Sequence, residues 1–215
     1  MIKKVFPILA LSVFSSMLGV GIISPLLPLY AENLGATGIW LGIIFSGFSI
    51  SRAIFMPIIG RFSDRSGRKS FLCIGLLIYS IISLGYILAS NASELTLVHL
   101  IQGAAAGMII PIAQAYVGDI SPEGEEGTWM GYFNAAFFTG FGFGPLLGGV
   151  LTDHFGMNAA FYTMGGLGGA ISMPAASALT VEEGRKFGMG STIRCIYHVN
   201  EYRYGYRANC IWGNS

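Results

Sequence analysis

The sequence predicts an all-α membrane protein of six transmembrane helices, and three observations carry that prediction. Of its 215 residues, 53% are apolar and only 11% are charged, against roughly 25% charged in an average soluble domain. The charges gather in short clusters between apolar runs of about twenty residues, the length that crosses a bilayer core of about 30 Å. Lysine and arginine favour alternate loops, as in a chain that threads back and forth across a membrane. The mean hydropathy of +0.63 agrees with all three.

The first predicted span covers residues 5–30. The start, Met1-Ile-Lys3-Lys4 followed by an apolar stretch, resembles a secretory signal peptide. That stretch continues to Pro28 without a small-residue cleavage site, and further spans follow, so a retained helix is expected. The remaining spans are predicted over 38–59, 71–90, 97–118, 129–152 and 159–181. Each is expected to be helical, because a backbone facing lipid must satisfy its own hydrogen bonds.

The loops set the expected orientation. Lys3 and Lys4 precede the first span, Arg61, Arg65, Arg68 and Lys69 separate the second and third, and Arg185 and Lys186 follow the sixth. Loops 31–37, 91–96 and 153–158 hold no Lys or Arg. The bias predicts a multi-pass protein of the cell membrane with both termini cytoplasmic. Loop 119–128 is acidic at Glu123, Glu125 and Glu126, and acids weigh little in that bias.

Much of the chain's glycine falls within the spans at small-xxx-small spacing. Gly103 and Gly107 share a face of the fourth span, and Gly140, Gly144 and Gly148 share a face of the fifth. Such faces let helix backbones approach closely, and spacing alone leaves packing and gating roles equally open. Arg52 is the one charge well inside a span, about 12 Å from the predicted end of its helix at a rise of about 1.5 Å per residue. It is read either as a functional charge for an anionic substrate or helix pairing, or as a long stem snorkelling toward the cytoplasm.

Other classes find no support. The cysteines Cys73, Cys195 and Cys210 are too scattered for a metal site or a disulfide framework, with Cys73 read as a small core residue. No catalytic residues, metal ligands or cofactor motif are predicted, and no basic patch interleaved with aromatics suggests nucleic acid. Ser24, Ser46, Ser49, Tyr79, Gln114 and Asn134 are candidate liners of a polar cavity. Residues 186–215 form an atypical polar tail, with Tyr197, Tyr202, Tyr204 and Tyr206, that is expected to be disordered; residues 1–185 are expected to form the membrane domain.

Four motifs then point to a family. Gly60-Arg-Phe-Ser-Asp64-Arg65-Ser-Gly67-Arg68-Lys69 resembles the signature loop of the Major Facilitator Superfamily, G-x-x-x-D-[RK]-x-G-R-[RK], at every defined position. Its two glycines would allow a sharp reversal, and an acid among bases can pair at the membrane surface. Gly140-Phe-Gly-Phe-Gly144-Pro145-Leu-Leu-Gly148-Gly149 is similar to the family's antiporter motif, and its Pro145 removes a helix hydrogen bond. Leu18-Gly19 through Pro25 and Pro28 is similar to a pattern of the drug:proton antiporters. Leu97-Val-His99-Leu-Ile-Gln102-Gly103 resembles l-x-R-x-x-Q-G, with His99 where the family usually has arginine.

The resemblance implies one six-helix bundle, two three-helix repeats, of a twelve-helix transporter that holds substrate between two bundles. It implies proton-coupled export of a small molecule. Asp119 matches the family acid that pairs with the signature loop, with Arg68 as its expected partner, and Asp64 would also meet a helix of the second bundle. Glu126 stands where many relatives carry arginine. In the family, the arginine at the His99 position is linked to proton coupling. A histidine can titrate near neutral pH, but a site only two residues into the predicted span also suits an interfacial histidine. The expected partners are the lipid bilayer, a small-molecule substrate, a proton as coupling ion, and either a second copy or a six-helix carboxy-terminal half. Alone, the chain is not expected to transport. A truncated or frameshifted product, a half-size transporter acting as a homodimer, and a regulator binding a full-length relative are the three readings that follow.

Overall fold

A computed structural model describes residues 2–167, 169 and 170. Helices α1 (Ile2–Ile23), α2 (Leu26–Asn33), α3 (Gly38–Ser66), α4 (Arg68–Leu88), α5 (Ala92–Ile120) and α6 (Glu126–Phe155) follow in order. A seventh, α7, covers 157–167, with helix again at 169–170. Among the described residues five segments are long and apolar enough to cross a membrane: Val5–Ile23, Gly38–Arg65, Arg68–Leu88, Ala92–Ile120 and Glu126–Phe155. The predicted sixth span falls within the described residues only as far as 170, and the tail 186–215 lies outside them.

Helix α5 is the hub. It packs along α3 and α4 and also touches α1 and α6, while α6 lies along α1. Most of α1 and α5 is buried, whereas α3 and α6 leave most of their residues exposed. A helix that is apolar all round suits burial or lipid contact alike, so the exposed Phe55, Phe62, Phe138, Phe143 and Leu146 are ordinary for a membrane helix. The fully buried side chains include Leu9 and Ile22 of α1, Tyr79 and Tyr86 of α4, Ile109 of α5, Phe133 of α6 and Phe161 of α7.

Several predicted boundaries are corrected. The first span is two helices, because Ser24 and Pro25 form a turn between α1 and α2; two prolines three residues apart withhold two helical donors there. The fourth span starts at Ala92, five residues before Leu97. Asn91 Oδ1 accepts from the Glu94 N–H (2.9 Å), and Glu94 Oε2 accepts from the Ser90 N–H (2.8 Å). This reciprocal cap starts the helix in polar sequence that hydropathy passes over.

The signature segment is not a loop either. Residues from Gly60 to Ser66 are the last two turns of α3, and Gly67 alone, at φ +93°, separates α3 from α4. Only Gly67 performs the reversal expected of two glycines; Gly60 is helical. Gly67→Ala is therefore expected to destabilise the chain by about 1 to 2 kcal/mol, the cost of forcing a side chain into a left-handed conformation. Gly60→Ala, with nothing within 4 Å of its added carbon, should leave stability unchanged or slightly raised. Reversible unfolding in detergent compares the two.

Candidate functional site

The chemistry-bearing residues fall into a charge cluster at the Gly67 end of the bundle, two glycine seams along its length, and a polar network nearer the Asn91 end.

At the Gly67 end, Arg68 stands between two carboxylates. Its Nη1 lies 2.7 Å from Asp64 Oδ1, its Nε bonds Asp119 Oδ2, and its Nη2 lies 3.4 Å from Asp119 Oδ1. The planar fork suits this two-point grip on a carboxylate. Helix dipoles explain why the pair belongs there. Arg68 opens α4 and Asp119 lies in the last turn of α5, so each sits at the unfavourable end of its own helix, and each relieves the other. Both carboxylates are about half exposed, at 56% and 52%, and exposed pairs contribute at most about 1 kcal/mol. The cluster thus orients the ends of α3, α4 and α5 more than it stabilises them. Arg65 is exposed, and the Lys69 ammonium lies 6.0 Å from the Tyr116 ring centre on α5, at the limit of a cation–π contact.

The seams show what the glycine spacing is for. A Cβ built on Gly140 would strike the Phe14 carbonyl of α1, and one on Gly144 the backbone of Gly21. On Gly148 it would lie 2.7 Å from the Ile22 oxygen, and on Gly21 2.5 Å from the Phe141 oxygen. Helices α6 and α1 therefore meet backbone to backbone. Gly142 and Gly149 face open space, so the motif glycines divide between a packed face and a free one. Pro145 lies inside α6, which continues past it to Phe155. On the other side of the bundle, a Cβ on Gly103 of α5 would strike the Phe48 carbonyl of α3, and one on Gly107 would sit 3.4 Å from the Arg52 oxygen.

Arg52 itself lies at the midpoint of α3, about 21 Å from either end at a rise of about 1.5 Å per residue. The predicted distance of about 12 Å was too short, because α3 runs on to Ser66. The side chain is half-buried.

His99 is also repositioned. It lies seven residues into α5, and at 7% exposure it is a core residue rather than an interfacial one. The Tyr86 hydroxyl contacts both His99 Nδ1 and Gln102 Oε1, and Nδ1 lies 3.1 Å from that same oxygen. An amide oxygen can only accept, so Tyr86 donates to Gln102 and the histidine proton belongs on Nδ1. Nε2 remains as the basic atom. The ring stacks on Phe48 at 4.9 Å and meets Phe45 edge-on at 5.9 Å. Gln102 Nε2 reaches Met164 Sδ of α7 at 3.4 Å, so the network joins α4, α5 and α7, with α3 against its face.

Of the candidate cavity liners, Tyr79 is enclosed, its hydroxyl 3.5 Å from the Ser16 carbonyl, while Ser24, Ser46, Ser49 and Asn134 are exposed. Tyr86 carried no signal in the sequence, since a tyrosine in an apolar run has no diagnostic spacing. The structure brings Asp64, Arg68 and Asp119 together, and separately His99 with Gln102. Arg52 joins neither group.

The sequence pattern of the Major Facilitator Superfamily matches residues 9–187. An uncharacterized MFS-type transporter of Methanocaldococcus jannaschii is 37% identical over 166 residues, covering 77% of this chain and 43% of that protein. The quinolone resistance protein NorA of Staphylococcus aureus is 35% identical over 166 residues, covering 77% of this chain and 42% of that protein. Among solved structures, the human organic anion transporter MFSD10 superposes with a TM-score of 0.71 at 21% identity, over 82% of this chain and 47% of its own. That likeness is one of fold. The chain spans less than half the length of each of these proteins.

Proposed function

The chain belongs to the Major Facilitator Superfamily, and from that premise we propose that it is the amino-terminal bundle of a transporter that exports small molecules in exchange for protons. The observation that carries the export reading is the α6–α1 seam. The Gly-Pro motif that resembles the antiporter signature lays α6 against α1 through Gly140, Gly144 and Gly148. The similarity to a quinolone resistance protein supports the drug-exporting branch.

In this reading the bundle comprises residues 1–185, lies in the cell membrane, and has both termini in the cytoplasm. Asp64, Arg68 and Asp119 hold the cytoplasmic ends of α3, α4 and α5 in one arrangement, with Gly60, Arg65, Gly67 and Lys69 completing the signature. His99, with Nε2 as its basic atom, serves proton coupling, and Arg52 serves charge pairing with the substrate or with the facing bundle. Substrate is held between this bundle and a second one, either a carboxy-terminal half or another copy of the chain, by a rocking movement about the shared site.

Reconstitution tests this. The purified chain in liposomes with a proton gradient is expected to move no quinolone by itself. Adding the carboxy-terminal bundle of the quinolone resistance relative should produce flux that a protonophore abolishes. Flux that survives the protonophore would remove the proton from the mechanism. Gradient-driven flux from the chain alone, as a crosslinkable dimer, would identify the second copy as the partner.

A further inference from the structure

The break in the first span coincides with an unusual hydrogen-bond exchange at the Asn91 end of the bundle. Below the break, α1 is tightly packed, because Gly21 and Ile22 lie against the backbone of α6 at Gly144 and Gly148. Ser24 still donates to the Val20 carbonyl at 2.9 Å, but Pro25 and Pro28 have no N–H to carry the ladder onward. Above the break, the eight residues of α2 form a separate helix. Leu26, Leu27 and Ala31 are buried, and the Tyr30 ring lies 4.9 Å from that of Phe161 in α7.

Among the described residues, α2 makes one side-chain hydrogen bond: Tyr30 donates its hydroxyl to the Tyr86 carbonyl at 2.7 Å. That carbonyl is in the last turn of α4, where acceptors lack intrahelical partners. Its helical donor would be the Ser90 N–H, which instead donates to Glu94 Oε2 in the cap of α5. The cap that starts α5 therefore leaves the Tyr86 carbonyl without its helical donor, and the Tyr30 hydroxyl takes the vacant place. Phe161 stacks on the Tyr86 ring at 5.1 Å with an interplanar angle of 3°, so Tyr30 docks against a packed aromatic pair.

We propose that α2 is a hinged strap. It turns about Ser24–Pro25 between a docked state, with the Tyr30 hydroxyl on the Tyr86 carbonyl, and a released state that opens this end of the bundle. A pinned helix, a proline break and a short arm held by one polar contact provide a hinge and a latch of the kind that lets two packings differ by little energy. That the movement gates a substrate path rests on the transport reading; the movement itself does not.

Thiol reaction rates of the full chain in nanodiscs, with Cys73, Cys195 and Cys210 replaced by serine, test it. Ala31→Cys reports on the strap, being fully buried when docked, and Ala106→Cys on α5 reports on the core. Adding Tyr30→Phe should speed reaction at position 31 about five-fold, the equilibrium shift one lost hydrogen bond produces, and leave position 106 unchanged. Adding Pro25→Ala, which restores a helical donor, should slow reaction at 31. Leu27→Cys repeats the reading should the first reporter disturb docking. An unchanged rate at both strap positions, or an equal rise at 106, would overturn the proposal. Neither rate needs substrate or a gradient, so a failed transport assay leaves the strap standing, and a rigid strap leaves transport standing.

Discussion

Gly144→Ala is expected to destabilise the bundle by about 3 kcal/mol, the upper part of the range for forcing extra volume into a packed interface. The added carbon would strike the Cα and carbonyl carbon of Gly21. These are backbone atoms of a helix, so no rotamer change can move them aside. The helices must separate, and the contacts at Gly140 and Gly148 loosen with them, because all three glycines lie on one face of α6. Membrane helices lack a hydrophobic force to hold them together once close packing is lost. Gly149→Ala is the control. It changes the same motif one residue from the seam, but its Cβ meets nothing within 4 Å, so stability should be unchanged or rise by up to about 1 kcal/mol from helix propensity. Reversible unfolding in mixed detergent, followed by circular dichroism, gives both numbers. Equal stability of Gly144→Ala and the parent would mean that α6 and α1 do not approach as described.

The second large effect is expected at Tyr86. Tyr86→Phe keeps the ring stacked on Phe161 and removes only the hydroxyl that reaches His99 Nδ1 and Gln102 Oε1. The site is closed, with Tyr86 fully buried and His99 and Gln102 at 7% and 3% exposure, so no solvent replaces the lost donor. A buried polar group deprived of its partner costs about 1 to 3 kcal/mol. Here about 2 kcal/mol is expected, since the His99–Gln102 contact at 3.1 Å remains and reduces the loss. A double-mutant cycle separates the hydroxyl's own burial from its coupling. In the Tyr86→Phe background, His99→Phe should cost less than it does alone, because part of what it removes has already gone. Strictly additive costs would show that the three side chains do not act as one network.

The two substitutions probe different kinds of information. The clustering of 11% charged residues between runs of bilayer length made the all-α membrane fold legible from the sequence, because any lipid-crossing chain must meet that constraint whatever its neighbours are. The ordered Gly, Asp and Arg from Gly60 to Lys69 made the family legible for a related reason. A turn and a charge pair so close in sequence are local enough to be written in consecutive residues.

Helix ends were less legible. A hydropathy window averages over about nineteen residues, and the start of α5 depends on two hydrogen bonds between Ser90, Asn91 and Glu94. Those five misplaced residues moved His99 from the surface to the core and reversed the reading of its environment. The same averaging ran α1 and α2 together, since apolar residues continue through Ser24 and Pro25. It also ended α3 before the charged run that begins at Arg61, although its helix persists to Ser66.

What only the tertiary structure decided is which groups meet. Gly144 and Gly149 belong to one motif, and spacing puts them on different faces, but only the approach of α1 makes one indispensable and the other free. Tyr30 and Tyr86 are 56 residues apart and look like any tyrosines in apolar runs; docking of α2 on α4 turns one into the hydrogen-bond donor of the other's carbonyl. Bilayer thickness and local turn chemistry act on each segment separately and so leave their mark on the sequence. Contacts between segments depend on the distance and rotation of both helices at once, and no single stretch of residues records them.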